Sequence, residues 1–228
     1  NMVVAADIDS LMERTRERPL VTGVMTPRAA LVFAVTLEVA AFAWLLATVN
    51  LLSAVLAVSA TFFYVFVYTL WLKRTSTHNI VIGGAAGAVP VLVGWSAVTN
   101  SLAWAPVVLF LVMFFWTPPH FWALAIKYRD DYAAAGVPML PAVASLEETA
   151  SRIILYTVIL VALSVVFAPV AGMGLLYLVS ALVLGAVFGA FALAVRRDPG
   201  ERTAMRLFTY SITYITLLFG AITLDVVV

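Results

Sequence analysis

Carboxylate and amide side chains are concentrated in the segment Asn1–Pro19, where their spacing is compatible with metal binding. If this segment is helical, Asn1, Ala5 and Asp9 are spaced four residues apart and share one face, while Asp7 projects from another side. Magnesium is a hard cation that takes one or two carboxylates and completes its octahedron with phosphate oxygens and water. The segment is therefore a candidate for holding magnesium together with a phosphorylated ligand.

A second acidic segment, Pro119–Pro141, combines carboxylates with a lysine and a histidine. At about 100° per residue, His120, Lys127 and Asp131 fall within roughly 40° of one another on a continuous helix. Asp130 lies one position further around. This segment offers the same ligand chemistry as the first.

Basic residues accompany both segments and could neutralise phosphate oxygens, arginine as a fork and lysine as a point charge. Arg14 and Arg18 would form an i, i+4 pair if their segment is helical, and Lys73–Arg74 precedes a glycine-rich stretch. Two acidic segments with these cations, at the mouth of an apolar bundle, suit a lipid diphosphate whose tail lies among the helices. The alternative is a set of ordinary juxtamembrane charges, solvated or paired with lipid headgroups.

His120 follows two prolines in an aromatic context and allows several interpretations. A neutral imidazole can ligate haem iron or transfer a proton. It can equally be a hydrogen-bonded structural residue, and the surrounding aromatic residues could form an interfacial belt. The residue types alone leave these alternatives open.

Composition determines which elements must position these side chains. Of 228 residues, 64% are hydrophobic and 11% are charged, and the mean hydropathy is +1.08. A soluble domain carries about 25% charged residues, so the chain is predicted to lie in a membrane. A net charge of +1 argues against nucleic acid as a partner. The absence of cysteine excludes disulfides, thiolate metal sites and cysteine nucleophiles.

Continuously apolar stretches predict an all-α, polytopic transmembrane bundle of seven helices, since a spanning helix needs about 20 apolar residues. The predicted spans are Ala29–Ala47, Ala54–Leu72, Ile80–Val98, Pro106–Ile126, Ile153–Val170, Leu175–Val195 and Leu207–Val226. Charged and uncharged connections alternate, which places all 13 Lys and Arg on one side. The positive-inside rule makes that side cytoplasmic and puts the C-terminus outside.

Three stretches resemble the signatures of protohaem IX farnesyltransferases, also called haem O synthases, within the UbiA superfamily of intramembrane prenyltransferases. Tyr68 to Trp95 contains W-L-K-R-T-S-T-H-N-I-V-I-G-G-A-A-G, and Trp116 to Pro141 contains P-P-H-F-W-A-L-A-I-K-Y-R-D-D-Y. The opening segment reads N-x-x-x-x-x-D-I-D-x-x-M-x-R-T-x-x-R-P. The resemblance covers essentially the whole chain, including R-L-F-T-Y-S at Arg206–Ser211.

The resemblance implies a nine-helix fold around a central cavity, so residues 1–228 are expected to form a single domain lacking the first two helices. It implies transfer of the farnesyl group of farnesyl diphosphate to a vinyl group of haem b, giving haem O and diphosphate, in the cell membrane. Magnesium is the implied cofactor, haem b is a substrate, and membrane lipid surrounds the bundle. Haem–copper oxidase assembly factors are possible partners.

The resemblance also implies roles for individual residues. The metal ligands would be Asn1, Asp7, Asp9, Asp130 and Asp131. The residues expected to act in catalysis are Asp9, Asp131, Lys73 and Arg74. The expected substrate contacts are Asn1, Arg14, Arg18, Lys127, His120, His78, Asn79 and Tyr132, with His120 facing the haem.

One position departs from the superfamily pattern, because Ala5 stands where first loops usually carry an acid. This departure predicts weakened magnesium binding unless Asp7 supplies the carboxylate. Two other interpretations remain open at this stage. The first is a quinone-precursor prenyltransferase that shares the diphosphate site, and the second is a non-catalytic haem-binding or transport protein.

Overall fold

A computed structural model describes residues 1–227, in which every regular element is a helix. The helices are α1 (Ala6–Leu11), α2 (Pro27–Thr48), α3 (Leu51–Thr75), α4 (Asn79–Thr99), α5 (Trp104–Lys127), α6 (Arg129–Ala134), α7 (Leu140–Val143), α8 (Leu146–Ala171), α9 (Leu175–Arg197) and α10 (Glu201–Val227). Seven of these, α2 to α5 and α8 to α10, are long and apolar enough to span a membrane. The predicted seven-span, all-α membrane bundle is confirmed.

Local sequence signals explain where several spans begin and end. Thr26 caps α2 by accepting a hydrogen bond from the third residue along, and Pro27 fills the first helical position, where no N–H is needed. Asn50 caps α3 and Ser145 caps α8 in the same way. At the end of α4, Asn100 adopts a left-handed φ of 49°, which stops the helix.

The chain forms two compact units, and each has its own packing. The first unit comprises Asn1–Leu102 together with Tyr128–Val143, and the second comprises Ala103–Lys127 together with the chain from Ala144 onward. In the first unit, α3 packs against both α2 and α4. A hydrogen bond of 2.8 Å joins the buried hydroxyls of Ser53 and Ser96 across the α3–α4 contact.

The second half of α3 is a π-helix over Phe63–Leu72. In this segment the Thr69 hydroxyl donates to the carbonyl of Tyr64 at 2.8 Å, five residues earlier. The rings of Tyr64 and Tyr68 stack with centroids 5.4 Å apart. Tyr68 also lies directly on Gly83 of α4, where a Cβ atom would overlap the ring. A long π-helix is rare and is typical of functional segments.

In the second unit, α5 packs against α8 and α10, and α9 packs against the same two helices. Its core contains the fully buried rings of Tyr177, Phe188 and Tyr214. Ser164 receives a hydrogen bond from the Tyr177 hydroxyl on its carbonyl and pairs its own hydroxyl with that of Tyr214. The buried phenols are therefore satisfied, as burial in an apolar bundle requires.

Two local expectations are wrong. The helix through His120 does not continue to Asp131, because α5 ends at Lys127 and Tyr128 leaves the helical conformation with φ −103° and ψ 23°. Arg14 and Arg18 do not form a helical pair either, because α1 ends at Leu11 and turns follow it.

Candidate active site

The opening residues of the first unit form turns that lead into α1. The amide of Ala5 donates to the carbonyl of Asn1 at 3.0 Å, and the amide of Asp9 donates to that of Ala5 at 2.8 Å. Backbone hydrogen bonds with i, i+4 spacing therefore link the row of Asn1, Ala5 and Asp9, although α1 itself begins only at Ala6. Ala5 and Asp9 are 1% and 2% exposed, so the middle of the row contributes only a buried methyl group.

Asp9 is a buried carboxylate with one oxygen occupied. Arg18 approaches its Oδ2 atom with Nη1 at 2.7 Å. Within residues 1–227, the Oδ1 atom has no hydrogen-bond partner. A buried carboxylate costs free energy unless it is paired, and here the pairing is half complete. The free oxygen is available to a cation or to a hydrogen-bond donor on a ligand.

Asp7 is held by an arginine from the end of α3. Arg74 contacts both carboxylate oxygens of Asp7 at 2.8 Å and donates to the carbonyl of Val4 at 2.9 Å. The side-chain hydrogen bonding between Arg74 and Asp7 is the main reason why the pKa of Asp7 is lowered from 3.8 to about 2. Arg74 therefore competes with a metal ion for the carboxylate that was expected to compensate for Ala5.

Lys73 stands at the centre of a group of charges in the first unit. It interacts electrostatically with Asp9, Arg18, Arg14 and Arg74. Four cations (Lys73, Arg14, Arg18 and Arg74) against the two carboxylates of Asp7 and Asp9 leave a net positive field, which favours a multiply charged anion such as a diphosphate.

Arg14 joins the first acidic segment to the second. Its Nη2 atom donates to the hydroxyl of Tyr132 at 2.9 Å. The guanidinium also lies 5.6 Å from the ring centroid of Tyr128 and 5.4 Å from that of Tyr132, within cation–π range. Two segments more than a hundred residues apart in sequence thus meet at one side chain.

The two aspartates of α6 have different surroundings. Asp130 is 98% exposed in its side chain and lies 3.6 Å from Arg129, so it faces solvent. Asp131 is half-buried and interacts electrostatically with its neighbour Tyr132. Because Tyr132 contacts Arg14, Asp131 is the better placed of the two to act with the charges around Asp9.

Two tyrosines of the π-helical segment belong to this cluster, although the sequence analysis did not select them. The Asn1 amide donates to the hydroxyl of Tyr64, which leaves the Oδ1 atom of Asn1 free to bind a ligand. Tyr68 interacts electrostatically with Tyr64, Tyr132 and Arg14. The spacing Tyr-x-x-x-Tyr before the basic pair was the only signal that could have indicated them.

The turn between α3 and α4 places its two predicted residues differently. His78 is exposed and lies 3.4 Å from the hydroxyl of the adjacent Thr77. Asn79 is fully buried, and its amide nitrogen lies 3.4 Å from the carbonyl of Pro138. Asn79 therefore ties the start of α4 to the loop that follows α6.

His120 and Lys127 belong to the second unit. His120 is 8% exposed and its Nδ1 atom lies 2.7 Å from the hydroxyl of Ser211. Lys127 pairs with Glu201 at 3.1 Å. The aromatic and polar contacts of His120 all come from α5 and α10.

The first unit has the donor types that magnesium requires. Within residues 1–227 no three His, Asp or Glu residues cluster as a ready-made metal cage. The unpaired Oδ1 of Asp9, the free amide oxygen of Asn1 and the carboxylate of Asp131 are nevertheless hard oxygen donors. Magnesium takes few protein ligands when a phosphorylated substrate supplies the rest. These donor types are the ones that such a shared site needs.

Comparison with known proteins identifies the family. The profile of the UbiA prenyltransferase family matches residues 1–218. The chain belongs to the UbiA prenyltransferase family. This membership confirms the superfamily that the three sequence signatures suggested.

Curated relatives carry a narrower name. A protoheme IX farnesyltransferase of Parafrankia sp. (strain EAN1pec) is 58% identical over 97% of this chain and 72% of its own length. The protein of the same name from Frankia alni is 54% identical over 100% of this chain and 80% of its own length. The one from Streptomyces avermitilis is 50% identical over 99% of this chain and 76% of its own length. The resemblance to this branch of the family is confirmed.

Two solved structures share the fold. One, from work on digeranylgeranylglyceryl phosphate synthase in membranes, has a TM-score of 0.76 at 19% identity and covers 97% of this chain and 79% of its own. An apo UbiA homolog from Aeropyrum pernix K1 has a TM-score of 0.71 at 18% identity. The match covers 99% of this chain and 82% of the homolog.

Proposed function

We propose that this chain is a protohaem IX farnesyltransferase. In this reaction the C1–O bond of farnesyl diphosphate breaks and its electron pair leaves with diphosphate. The vinyl π electrons of haem b form the new carbon–carbon bond, water adds to the resulting cation, and one proton is released. The products are haem O and diphosphate.

The observation that carries the proposal is the group of cations around one buried carboxylate in the first unit. Arg18 contacts Asp9 directly, and Lys73 interacts electrostatically with Asp9, Arg18, Arg14 and Arg74. A diphosphate leaving group gains negative charge as its bond to carbon breaks. Preorganised cations that neutralise this charge lower the barrier by electrostatic stabilisation. Relatives at 50% to 58% identity support the farnesyl and haem specificity.

Individual side chains divide the binding of the diphosphate. Arg14, held on two tyrosine rings, and Arg18, held on Asp9, present guanidinium groups in fixed positions. The Tyr132 hydroxyl accepts from Arg14, so its own proton can be donated to a phosphate oxygen. Lys73 adds a point charge. Arg74 keeps Asp7 away from the ligand and contributes charge at longer range.

Magnesium fits the same group of residues. Asn1, Asp9 and Asp131 would hold the ion, while Asp7 is engaged by Arg74 and Asp130 faces solvent. When bound, magnesium neutralises the oxygens of the leaving group. Asp7 and Asp130 therefore rank below the other three as ligands.

The second unit supplies a candidate contact for haem. His120 is a buried imidazole between aromatic rings, on the helix that carries the second signature. Its surroundings are apolar and aromatic, which suits a porphyrin. Lys127 is paired with Glu201 and would meet a substrate carboxylate or phosphate only by exchanging that partner.

The charges also support a location and an orientation. All 13 Lys and Arg lie in alternate connections or in the adjoining turns of the spans, which favours a cytoplasmic diphosphate site in the cell membrane. Membrane lipid surrounds the apolar helices, and oxidase assembly factors remain expected partners for delivery of the product.

The reaction is tested with membranes containing the chain, supplied with haem b, farnesyl diphosphate and magnesium. We expect a new haem that is retained longer on reversed-phase chromatography, and its loss when magnesium is chelated. Membranes without the chain are the control. Prenylation of an aromatic quinone precursor, with haem b left unchanged, would instead favour the quinone-precursor branch. Binding of haem without any product would favour a non-catalytic protein.

A further inference from the structure

The strongest unassigned arrangement lies in the second unit, where three residues fix one histidine ring. His120 of α5 is stacked between Trp116, at a centroid distance of 4.3 Å, and Phe208 of α10, at 4.5 Å. The two interplanar angles are 20° and 25°, so the imidazole is sandwiched between nearly parallel rings. The ring cannot tilt without losing one of these contacts.

Ser211 of α10 is hydrogen-bonded to two residues of α5, Trp116 and His120. The indole Nε1 of Trp116 donates to its carbonyl at 2.8 Å. Its hydroxyl oxygen lies 2.7 Å from Nδ1 of His120. Trp116 and His120 are four residues apart on one helix, so a single serine of α10 sets the position of both rings.

The hydrogen bonds of Ser211 also determine where the imidazole proton lies. The serine hydroxyl has one hydrogen, and it is donated to the carbonyl of Phe208 at 2.6 Å. With that hydrogen on the Phe208 carbonyl, the same oxygen accepts from His120 at 2.7 Å. In this arrangement Nδ1 carries the proton, and in the neutral ring Nε2 keeps a lone pair.

Nε2 of His120 is available to a ligand. No hydrogen bond reaches it within residues 1–227. Three side-chain atoms in the same part of the chain are fully enclosed and lack a partner: Asn79 Oδ1, Trp122 Nε1 and Thr157 Oγ1. Nε2 of His120 is not one of them, so it is not fully enclosed. A buried histidine needs a partner for its N–H in any role, so the open Nε2 is the feature that points to a ligand.

We propose that Ser211 is a positioning residue that holds His120 as the Nδ1–H tautomer and presents its Nε2 lone pair to the iron of haem b. This inference rests on the proposed function, since it requires haem as the substrate. A hydrogen bond on the remote nitrogen of a ligating histidine fixes the tautomer and raises its basicity. Ser211 therefore controls how tightly, and in which orientation, the acceptor substrate is held.

The test is a haem-binding titration of the purified chain in detergent, read by absorption and electron paramagnetic resonance. The original chain should give the signature of nitrogen-ligated haem, and His120→Ala should lose it and regain it with added imidazole. Loss of an outer hydrogen bond costs about 10–100-fold in metal affinity, so Ser211→Ala should weaken haem binding by that factor. Ser211→Thr, which keeps the hydroxyl, should restore binding.

A matched control is Ser180→Ala on α9. Ser180 is half-buried and its hydroxyl donates to the carbonyl of Leu176 four residues earlier, at 2.7 Å. It should leave haem affinity and spectrum unchanged. If His120→Ala does not fold, His120→Gln, whose amide oxygen can stand in for Nε2, is compared with His120→Asn, whose amide nitrogen can stand in for Nδ1.

Three results would overturn the inference. One is a haem spectrum that is the same in the original chain, Ser211→Ala and His120→Ala. Another is a fall in kcat for Ser211→Ala with the haem spectrum and affinity unchanged, which would assign His120 to proton transfer. The third is equal haem affinity for the Gln and Asn variants. If the original chain makes no haem O but binds haem through His120, the proposed function fails while the assignment of Ser211 stands.

Discussion

At the scale of single residues, two carboxylates on α1 have opposite surroundings although only one residue separates them. Asp9 is buried, with one oxygen on Arg18 and one free. Asp7 is 63% exposed in its side chain, and Arg74 occupies both of its oxygens. The free buried oxygen is the better metal ligand, because binding an ion there also relieves an incomplete pairing.

This difference predicts unequal effects for the two Asp→Asn substitutions. Asp9→Asn should lower kcat/KM for farnesyl diphosphate on the order of 10²–10³-fold, the usual cost of losing one electrostatic group that acts on the leaving charge. It should also raise the magnesium concentration needed for half-maximal rate. Asp7→Asn breaks an exposed ion pair and should cost about fivefold or less. Equal losses for both variants would contradict this ranking.

The Asp7–Arg74 pair also predicts a direction of pH dependence. Its hydrogen bond lowers the pKa of Asp7 from 3.8 to about 2, so the charged form is favoured in the folded chain. The pair therefore stabilises the fold fully above pH 3.8 and loses that contribution as the pH falls towards 2. Between pH 7 and 5 the contribution of this pair to thermal stability should be constant, so Asp7→Asn and the original chain should have parallel pH profiles there.

Tyr132 is a buried phenol that carries a different prediction. Burial raises the pKa of Tyr132 above its ordinary value of 10.0, so the hydroxyl keeps its proton at any ordinary assay pH. Tyr132→Phe should remove a hydrogen bond to a charged phosphate worth about 1.5–3 kcal/mol, or roughly 10–100-fold in KM for farnesyl diphosphate. The KM for haem b is the internal control. A larger change in the haem KM would place Tyr132 elsewhere.

Part of this residue-level chemistry was readable from the sequence. The row of Asn1, Ala5 and Asp9 followed from helical spacing alone. The pairing of Arg14 with Tyr132 was not predictable, since it depends on a contact between distant segments. The roles of Tyr64 and Ser211 were hidden for the same reason: serines and tyrosines are common in apolar helices, and only the fold shows which ones meet a site residue.

At the scale of elements, the π-helical half of α3 determines how its aromatic residues meet α4. Wider winding over Phe63–Leu72 stacks Tyr64 on Tyr68 and lays Tyr68 on Gly83. Gly83 has a steric role, because a side chain there would displace the ring. The glycine-rich motif of α4 is therefore partly a surface that receives a tyrosine of the candidate site.

Two glycines of α4 make this steric role testable. Gly83→Ala places a methyl group within the Tyr68 ring and should destabilise the fold by about 1–3 kcal/mol. It should also lower activity, because Tyr68 neighbours Arg14. Gly87→Ala has nothing within 4 Å of the added atom and should be neutral or slightly stabilising, since Ala favours a helix over Gly. Thermal unfolding in detergent and farnesyl transfer rates measure both; equal effects would exclude the steric role.

Element type was easier to predict than element ends and winding. Continuous apolar runs left helices as the natural choice for every span, and each was found. The break at Tyr128 was missed, since Ala-Ile-Lys-Tyr-Arg-Asp-Asp has no Gly or Pro to mark it. The π-helix was missed as well, because its apolar aromatic residues also suit an ordinary α-helix.

At the scale of the whole chain, charge distribution and span count support each other. All 13 Lys and Arg lie in alternate connections or in the adjoining turns of the spans. Seven spans separate the first charged connection from the C-terminus. Because seven is odd, the charged connections and the C-terminus lie on opposite sides of the membrane. The candidate diphosphate site and the C-terminus are therefore expected on different sides.

The orientation can be measured by cysteine labelling, because the chain has no cysteine of its own. Ser101 and Glu147 are both exposed and lie on either side of α5, a single span. With a membrane-impermeant maleimide on intact spheroplasts, Ser101→Cys should be labelled and Glu147→Cys should not; inside-out vesicles should reverse the pattern. The cysteine-free parent controls for background. Labelling of Glu147→Cys from outside would contradict the proposed orientation. Glu147 lies in a charged connection, which the positive-inside rule places in the cytoplasm. Labelling of both from one side would mean that α5 does not cross the membrane.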